Sequence, residues 1–158
     1  MTRGLSFDQN THHTGVCEWI DGEFVRAYTL EAGDWLEMAL RCEDEILKPP
    51  ALDWVAAEAV YAGINKRTFG ILSRLLGIIE AACYRQGITY YELTTKQVDA
   101  PMGLDYTKGK RKEATARLAT LMTGLELNED ESDSFCVGHV ANRKYQWEQQ
   151  VKEADDEK

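Results

Sequence analysis

The dipeptide Asp21-Gly22 restricts the folds open to this chain more than any other feature. It separates two runs of strand-forming residues, 16–20 and 23–30, by two residues suited to positive φ, which is the mark of a tight antiparallel hairpin. Residues 4–8, Gly-Leu-Ser-Phe-Asp, read as a further short strand ahead of it, so the chain opens as a three-stranded meander. Then the period changes. Trp35, Leu36, Met38, Ala39 and Leu40 recur at helical spacing as far as residue 47, and Pro49-Pro50 forbids continuation. An apolar run at 52–61 reads as a buried strand, 67–86 as a long helix closed by Gly87, and 88–93 as a strand. Helices are expected over 108–123, closed by Gly124, and over 128–145.

A meander followed by strand–helix alternation makes an α/β fold: a mixed five-stranded sheet, part antiparallel and part parallel, with helices on both faces. At 158 residues the chain suits one domain, over 1–148, with a polar tail at 149–158 expected to fray. No apolar run approaches the roughly 18 residues of a membrane span, so no membrane partner is expected. Cys17, Cys42, Cys83 and Cys136 are scattered without a metal-binding spacing and read as buried thiols, which places the protein in the cytoplasm. Lys and Arg total 18 against 27 Asp and Glu, a net charge of −9. Bulk positive charge therefore does not hold this chain to nucleic acid, although a local basic patch still can.

Four carboxylates sit where local physics wants them weakly or not at all. Glu58 interrupts the apolar run Trp54-Val55-Ala56-Ala57-Glu58-Ala59-Val60-Tyr61, and a charge there must be paired, protonated, cation-bound or close to water at a strand end. Asp8 ends the first strand, at the edge where open α/β sheets bind ligands, although an Asp opening a turn is also ordinary. Asp130 and Asp133 share one face near the start of the last helix. Asn128 and Glu131 there read as a capping box, which accounts for the first-turn acids but less well for Asp133. Gathered together, such an all-oxygen set is what Mg²⁺ or Mn²⁺ requires. Spacing alone leaves this one possibility among several.

The residues Asp8-Gln9-Asn10-Thr11-His12-His13-Thr14-Gly15, Glu58-Ala59-Val60-Tyr61, Gln97-Val98 and Asp130-Glu131-Ser132-Asp133 come in a familiar order. Over roughly residues 4–142 the chain resembles the RuvC-like Holliday junction resolvases, particularly the short phage-type members, of the ribonuclease H-like superfamily. In that family the first motif is D-x-G-x-x-x-T-G; Asn10 stands at its first glycine, as the best substitute for a left-handed backbone. A second departure is Asp99, where many members carry a basic residue. The resemblance implies a homodimer that resolves four-way DNA junctions by paired nicks. It also implies two Mg²⁺ ions per site, with Mn²⁺ able to substitute, and a water attacking the phosphodiester. By carry-over, Asp8, Glu58, Asp130 and Asp133 are the metal ligands and catalytic residues. The rival readings are a ribonuclease H-like nuclease for other branched DNA or RNA, and a non-catalytic junction-binding protein.

Residues 108–112 read Lys-Gly-Lys-Arg-Lys at the start of a helix, and Arg117 follows. Lys108, Lys110, Arg111 and Lys112 suit a phosphate, or else form a solvated patch paired with nearby acids. Lys66, Arg67 and Arg74 extend the same track. Tyr61 is placed either to stack on an exposed base or to cover its strand end. His139 lies about 180° around the helix from Asp130 and is expected to be structural. The apolar residues of the 67–86 helix exceed what one sheet face covers, which marks it for the dimer interface.

Overall fold

A computed structural model describes residues 1–61, 63–104 and 109–156. Its elements are β1 (Arg3–Asp8), β2 (His13–Ile20), β3 (Glu23–Glu31), α1 (Trp35–Leu47), β4 (Trp54–Glu58), α2 (Lys66–Gln86), β5 (Thr89–Leu93), α3 (Thr95–Met102), α4 (Arg111–Thr123) and α5 (Glu129–Asp156). The strands form one sheet in the order β3-β2-β1-β4-β5. β1, β2 and β3 pair antiparallel, and β1–β4 and β4–β5 pair parallel. The hairpin turns through Asp21 at φ 49° and Gly22 at φ 89°, as that dipeptide requires.

Alternation along the strands divides the core in two. Leu5, Phe7, Val16, Val55 and Ala57 face α1 and α2, where Met38, Ala39, Cys42, Leu75, Leu76 and Ile79 meet them. Cys17, Trp19, Trp54 and Ala56 face α5, packed with Phe135, Cys136, Val137 and Ala141, and α3 and α4 add Val98 and Ala119 to this side. All four cysteines are buried, and burial pushes each thiol up to about 12. Among the described residues no helix is long and apolar enough to cross a membrane.

α5 lies unusually close to the sheet because small residues line its path. The Ser6 hydroxyl donates to the Ser134 carbonyl at 2.8 Å, and the Ser134 hydroxyl returns a bond to the Ser6 carbonyl at 2.9 Å. A methyl group on Gly138 would collide with Ser6 and the Trp19 ring, and one on Gly15 with the main chain of Asp130. The capping box forms: the Glu131 amide donates to Asn128 Oδ1 at 2.9 Å and the Asn128 amide to Glu131 Oε2 at 3.2 Å. Thr29 of β3 ties both residues to the sheet.

Several expectations change. β4 stops at Glu58, not 61, because its ladder partners run out: β1 ends at Asp8 and β5 at Leu93. α3 was not foreseen; a Thr94–Gln97 capping box starts it directly after β5. α4 begins at Arg111 after Gly109 at φ 87°, not at residue 108. α5 runs past the expected end of its helix at 145 and continues through Asp156. Gln149, Gln150, Lys152, Glu153 and Ala154 favour helix, and no Gly or Pro interrupts them. Asn10 is not left-handed; Asp21 is the non-glycine residue with positive φ among those described. The Asn10 side chain instead accepts the Thr11 amide at 2.6 Å, and Thr14 closes the loop by accepting the Asn10 amide at 3.2 Å.

Candidate active site

Register brings the strand acids together. Phe7 pairs with Ala57 in the parallel ladder, so Asp8 and Glu58 come next, side by side at the carboxyl edge of the sheet. Both follow the residues that face α5, namely Ser6 and Ala56, by two positions, so they project to that face. The first turns of α5 arrive at the same edge, held down at Gly15, which is itself the register partner of Asp8. Asp130 and Asp133 therefore stand over Asp8 and Glu58.

The electrostatics record this crowding. Burial pushes the Asp8 carboxyl well above its ordinary range; the charges of Asp133, Glu58 and Asp130 push it the same way, and Arg111 opposes them. Burial also lifts Asp133 to about 6, against the opposing charge of Arg111 and the Thr115 hydroxyl. Asp130 is raised by burial and by Glu129, with His13 and Lys112 opposing. The hydroxyl of Thr95, at the start of α3, donates to Glu58 Oε1, and the side-chain amide of Gln9 donates to the Glu58 carbonyl.

One cation sits among these acids. Arg111 Nε donates to Asp99 at 2.8 Å and 3.1 Å, and Asp99 is fully buried. Arg111 Nη2 lies 3.7 Å from Glu58 Oε2, and Nη1 lies 3.8 Å from Asp133 Oδ1. Expected to face phosphate, Arg111 turns inward instead, because three carboxylates outweigh solvent as its partner. Burial disfavours its charge, but the hydrogen bond to Asp99 and the charges of Glu58, Asp133 and Asp99 outweigh burial and raise its pKa. Asp99, which stood out in the sequence only for departing from a pattern, is thus part of the site, as are Thr95 and Thr115. A sequence signal existed for Thr95, a capping box that places it at a helix start.

Among the described residues no group of three or more His, Cys, Asp or Glu side chains is arranged to hold a metal ion. The donor chemistry nevertheless suits one. Every candidate ligand is a carboxylate oxygen, and Asp133 Oδ1 is buried with no hydrogen-bond partner. As they stand, Glu58 and Asp133 are organised around a guanidinium.

Among the described residues, the other sequence candidates stand at element ends. Tyr61 is 72% exposed, beyond the end of β4, so it does not cover its strand; Lys66 and Arg67 are exposed at the start of α2. Lys110 and Lys112 are exposed at the start of α4, and Lys112 pairs with Glu129. Lys108 lies outside the described residues. His139 is structural: it stacks on Phe135 at 6.0 Å and neighbours Trp19 at 6.3 Å, and burial lowers its pKa.

The raised carboxyls make a pH prediction for the metal-free protein. Folded Asp133 titrates near 6 and its unfolded counterpart near 3.9, so between those values the native state binds more protons. Stability then falls as pH rises through that window, by about 2–3 kcal/mol for this group. Chemical denaturation in EDTA should show greater stability at pH 5 than at pH 7, and Asp133→Asn should flatten the slope. Equal slopes in the two proteins would contradict the assignment.

No family model matches the sequence, and no curated protein matches it. Solved structures do. Thermus thermophilus RuvC in complex with a Holliday junction substrate superposes with a TM-score of 0.73 at 14% identity, over 92% of this chain and 96% of that one. A second Thermus thermophilus RuvC structure gives 0.71 at 15% identity, with the same coverage. The yeast mitochondrial Holliday junction resolvase gives 0.62 at 13% identity, over 96% of this chain and 81% of that one. The mixed sheet order and the helices on both of its faces are those of the ribonuclease H-like fold in the form that RuvC takes.

Proposed function

We propose that this chain is a divalent-metal-dependent, structure-selective endodeoxyribonuclease that resolves four-way DNA junctions by paired nicks in the cytoplasm. The observation that carries this reading is the convergence of Asp8, Glu58, Asp130 and Asp133, from three separated segments, on one sheet edge. Among the solved neighbours, RuvC is bound to a Holliday junction substrate and the yeast mitochondrial protein is a Holliday junction resolvase. Structural needs do not explain the crowding, because mutually repelling carboxylates destabilise a fold, and burial with the neighbouring charges holds Asp8 well above its ordinary range.

Asp8, Glu58, Asp130 and Asp133 would hold one or two Mg²⁺ ions. When bound, such ions activate a water and stabilise the leaving oxygen of a phosphodiester. The protein's own contribution is positional. The strand edge fixes Asp8 and Glu58, Thr95 orients the Glu58 carboxylate, and the Gly15 contact sets the height of Asp130 and Asp133. Lys66, Arg67, Lys110 and Lys112 flank the carboxylates and would guide phosphates toward an otherwise acidic surface, giving salt-sensitive binding. Exposed Tyr61 is positioned to stack on a base at the branch point.

A homodimer would place two such sites on one junction. The surface for it is the α1/α2 layer, but with a different emphasis from the sequence expectation. Leu36, Leu40 and Leu47 fall within about 40° of one another on α1. Each is about half exposed, and Phe69 of α2 adds to the apolar area.

Matched four-way junction, flap and RNA–DNA hybrid substrates test the proposal. Mg²⁺ should support symmetric paired nicks in the junction, EDTA should abolish them, and flap and hybrid should be cut at least about tenfold more slowly, a discrimination of roughly 1.4 kcal/mol. Preferential hybrid or flap cleavage would replace this reading with the broader nuclease one.

A further inference from the structure

Asp99 and its counter-charge form a feature that the proposed nuclease does not require. A fully buried carboxylate needs a cation, and Arg111 supplies it. Were that its whole purpose, the strongest arrangement would be the parallel two-nitrogen fork on both carboxylate oxygens. Instead both contacts to Asp99 come from Nε alone. Both Nη nitrogens are left for the acid cluster, 3.7 Å from Glu58 and 3.8 Å from Asp133. Nη2 and Asp133 Oδ1 are both buried and neither makes a hydrogen bond. These contacts are electrostatic, with none of the directional bonding that would fix them.

We propose that Arg111, tethered through Asp99, is a resident counter-ion that neutralises Glu58 and Asp133 in the metal-free protein and yields them to an incoming divalent cation. Arg111 is a positioning residue in this scheme, and Asp99 keeps it at the site throughout. The inference rests on the reading of the four acids as a cation site. It explains how a pocket of five carboxylates folds: a half-buried guanidinium held among them offsets part of their mutual repulsion. No covalent step is involved, only exchange of one cation for another at the same oxygens.

Electrostatics gives the exchange a sign. A guanidinium beside the ligands repels a divalent ion, so its removal should tighten metal binding even as it weakens the metal-free fold. Mn²⁺ titration followed by electron paramagnetic resonance, with melting curves in EDTA, tests this on the full-length protein. Arg111→Gln should bind Mn²⁺ about tenfold more tightly than the wild type and melt at lower temperature in EDTA, with saturating Mn²⁺ narrowing the gap. The double variant D99N/R111Q does not strand the fully buried Asp99 carboxylate without its cation and should also bind Mn²⁺ more tightly, which keeps the test valid if the single variant misfolds. Mn²⁺ affinity that is unchanged or weaker in the folded variants overturns the exchange. If the wild type binds no Mn²⁺, the metal-site reading falls as well. If the wild type binds it, D8N loses it and the Arg111 variants match the wild type, the exchange alone fails.

Discussion

Asp8→Asn should reduce Mg²⁺-dependent junction cleavage by at least about 10³-fold, equivalent to roughly 4 kcal/mol of transition-state stabilisation. It should do so while leaving junction affinity within about twofold, because the cations and Tyr61 that would hold DNA stand on other elements. The same variant should melt at higher temperature than the wild type in EDTA. Burial and three neighbouring carboxylates hold the Asp8 carboxyl well above its ordinary range, so its ionised form opposes folding at neutral pH. Asparagine keeps the shape and removes the charge. Loss of activity together with gain of metal-free stability separates a ligand from a structural residue, whose removal would lower both. Gel-shift, nicking and melting assays on one preparation decide it. Cleavage within tenfold of wild type would remove Asp8 from the ligand set.

The second large effect is expected at a residue with no functional group. Gly15→Ala places a methyl group into the main chain of Asp130, which has no flexible end to move aside. The helix start must lift, and it carries Asp130 and Asp133 with it. A loss of about 2–3 kcal/mol in stability is expected from overpacking of this kind, together with loss of cleavage. Gly70→Ala provides the contrast. Nothing lies within 4 Å of its added carbon, and an alanine inside α2 should be neutral or stabilise by about 0.5–1 kcal/mol. Denaturant titration of the pair measures how much of the effect belongs to the helix–sheet contact. Equal behaviour of the two variants would mean that α5 is not held at that point.

Much of the site is legible from local chemistry. The Asp21-Gly22 turn, the period change after residue 31, and Gly87 and Gly124 at their helix ends specify the frame because each acts over a few residues. Both glycines adopt the left-handed backbone expected of them. Glu58 announces itself by interrupting an apolar run, and Asp133 by lying a turn beyond where a cap explains it. Asp99 and Arg111 are not legible in this way. Their pairing spans 12 residues and two helices, and one of those helices is short, contains Pro101 and follows its strand without a loop. A basic run at a helix start reads as a surface patch, and it takes the fold to show that one of its members turns inward. The stripe on α1 is hidden for the opposite reason: Leu36, Leu40 and Leu47 look like core, but Met38, Ala39, Cys42 and Ile46 fill it.

The reciprocal serine bonds between β1 and α5 join residues 128 positions apart. α5 follows β1 and β4 in chain order, so a nascent chain that has emerged only as far as β5 holds Asp8 and Glu58 without Asp130 and Asp133. On the proposed reading, competence to cut waits on the docking of α5 against β1, the step that the paired serines seal.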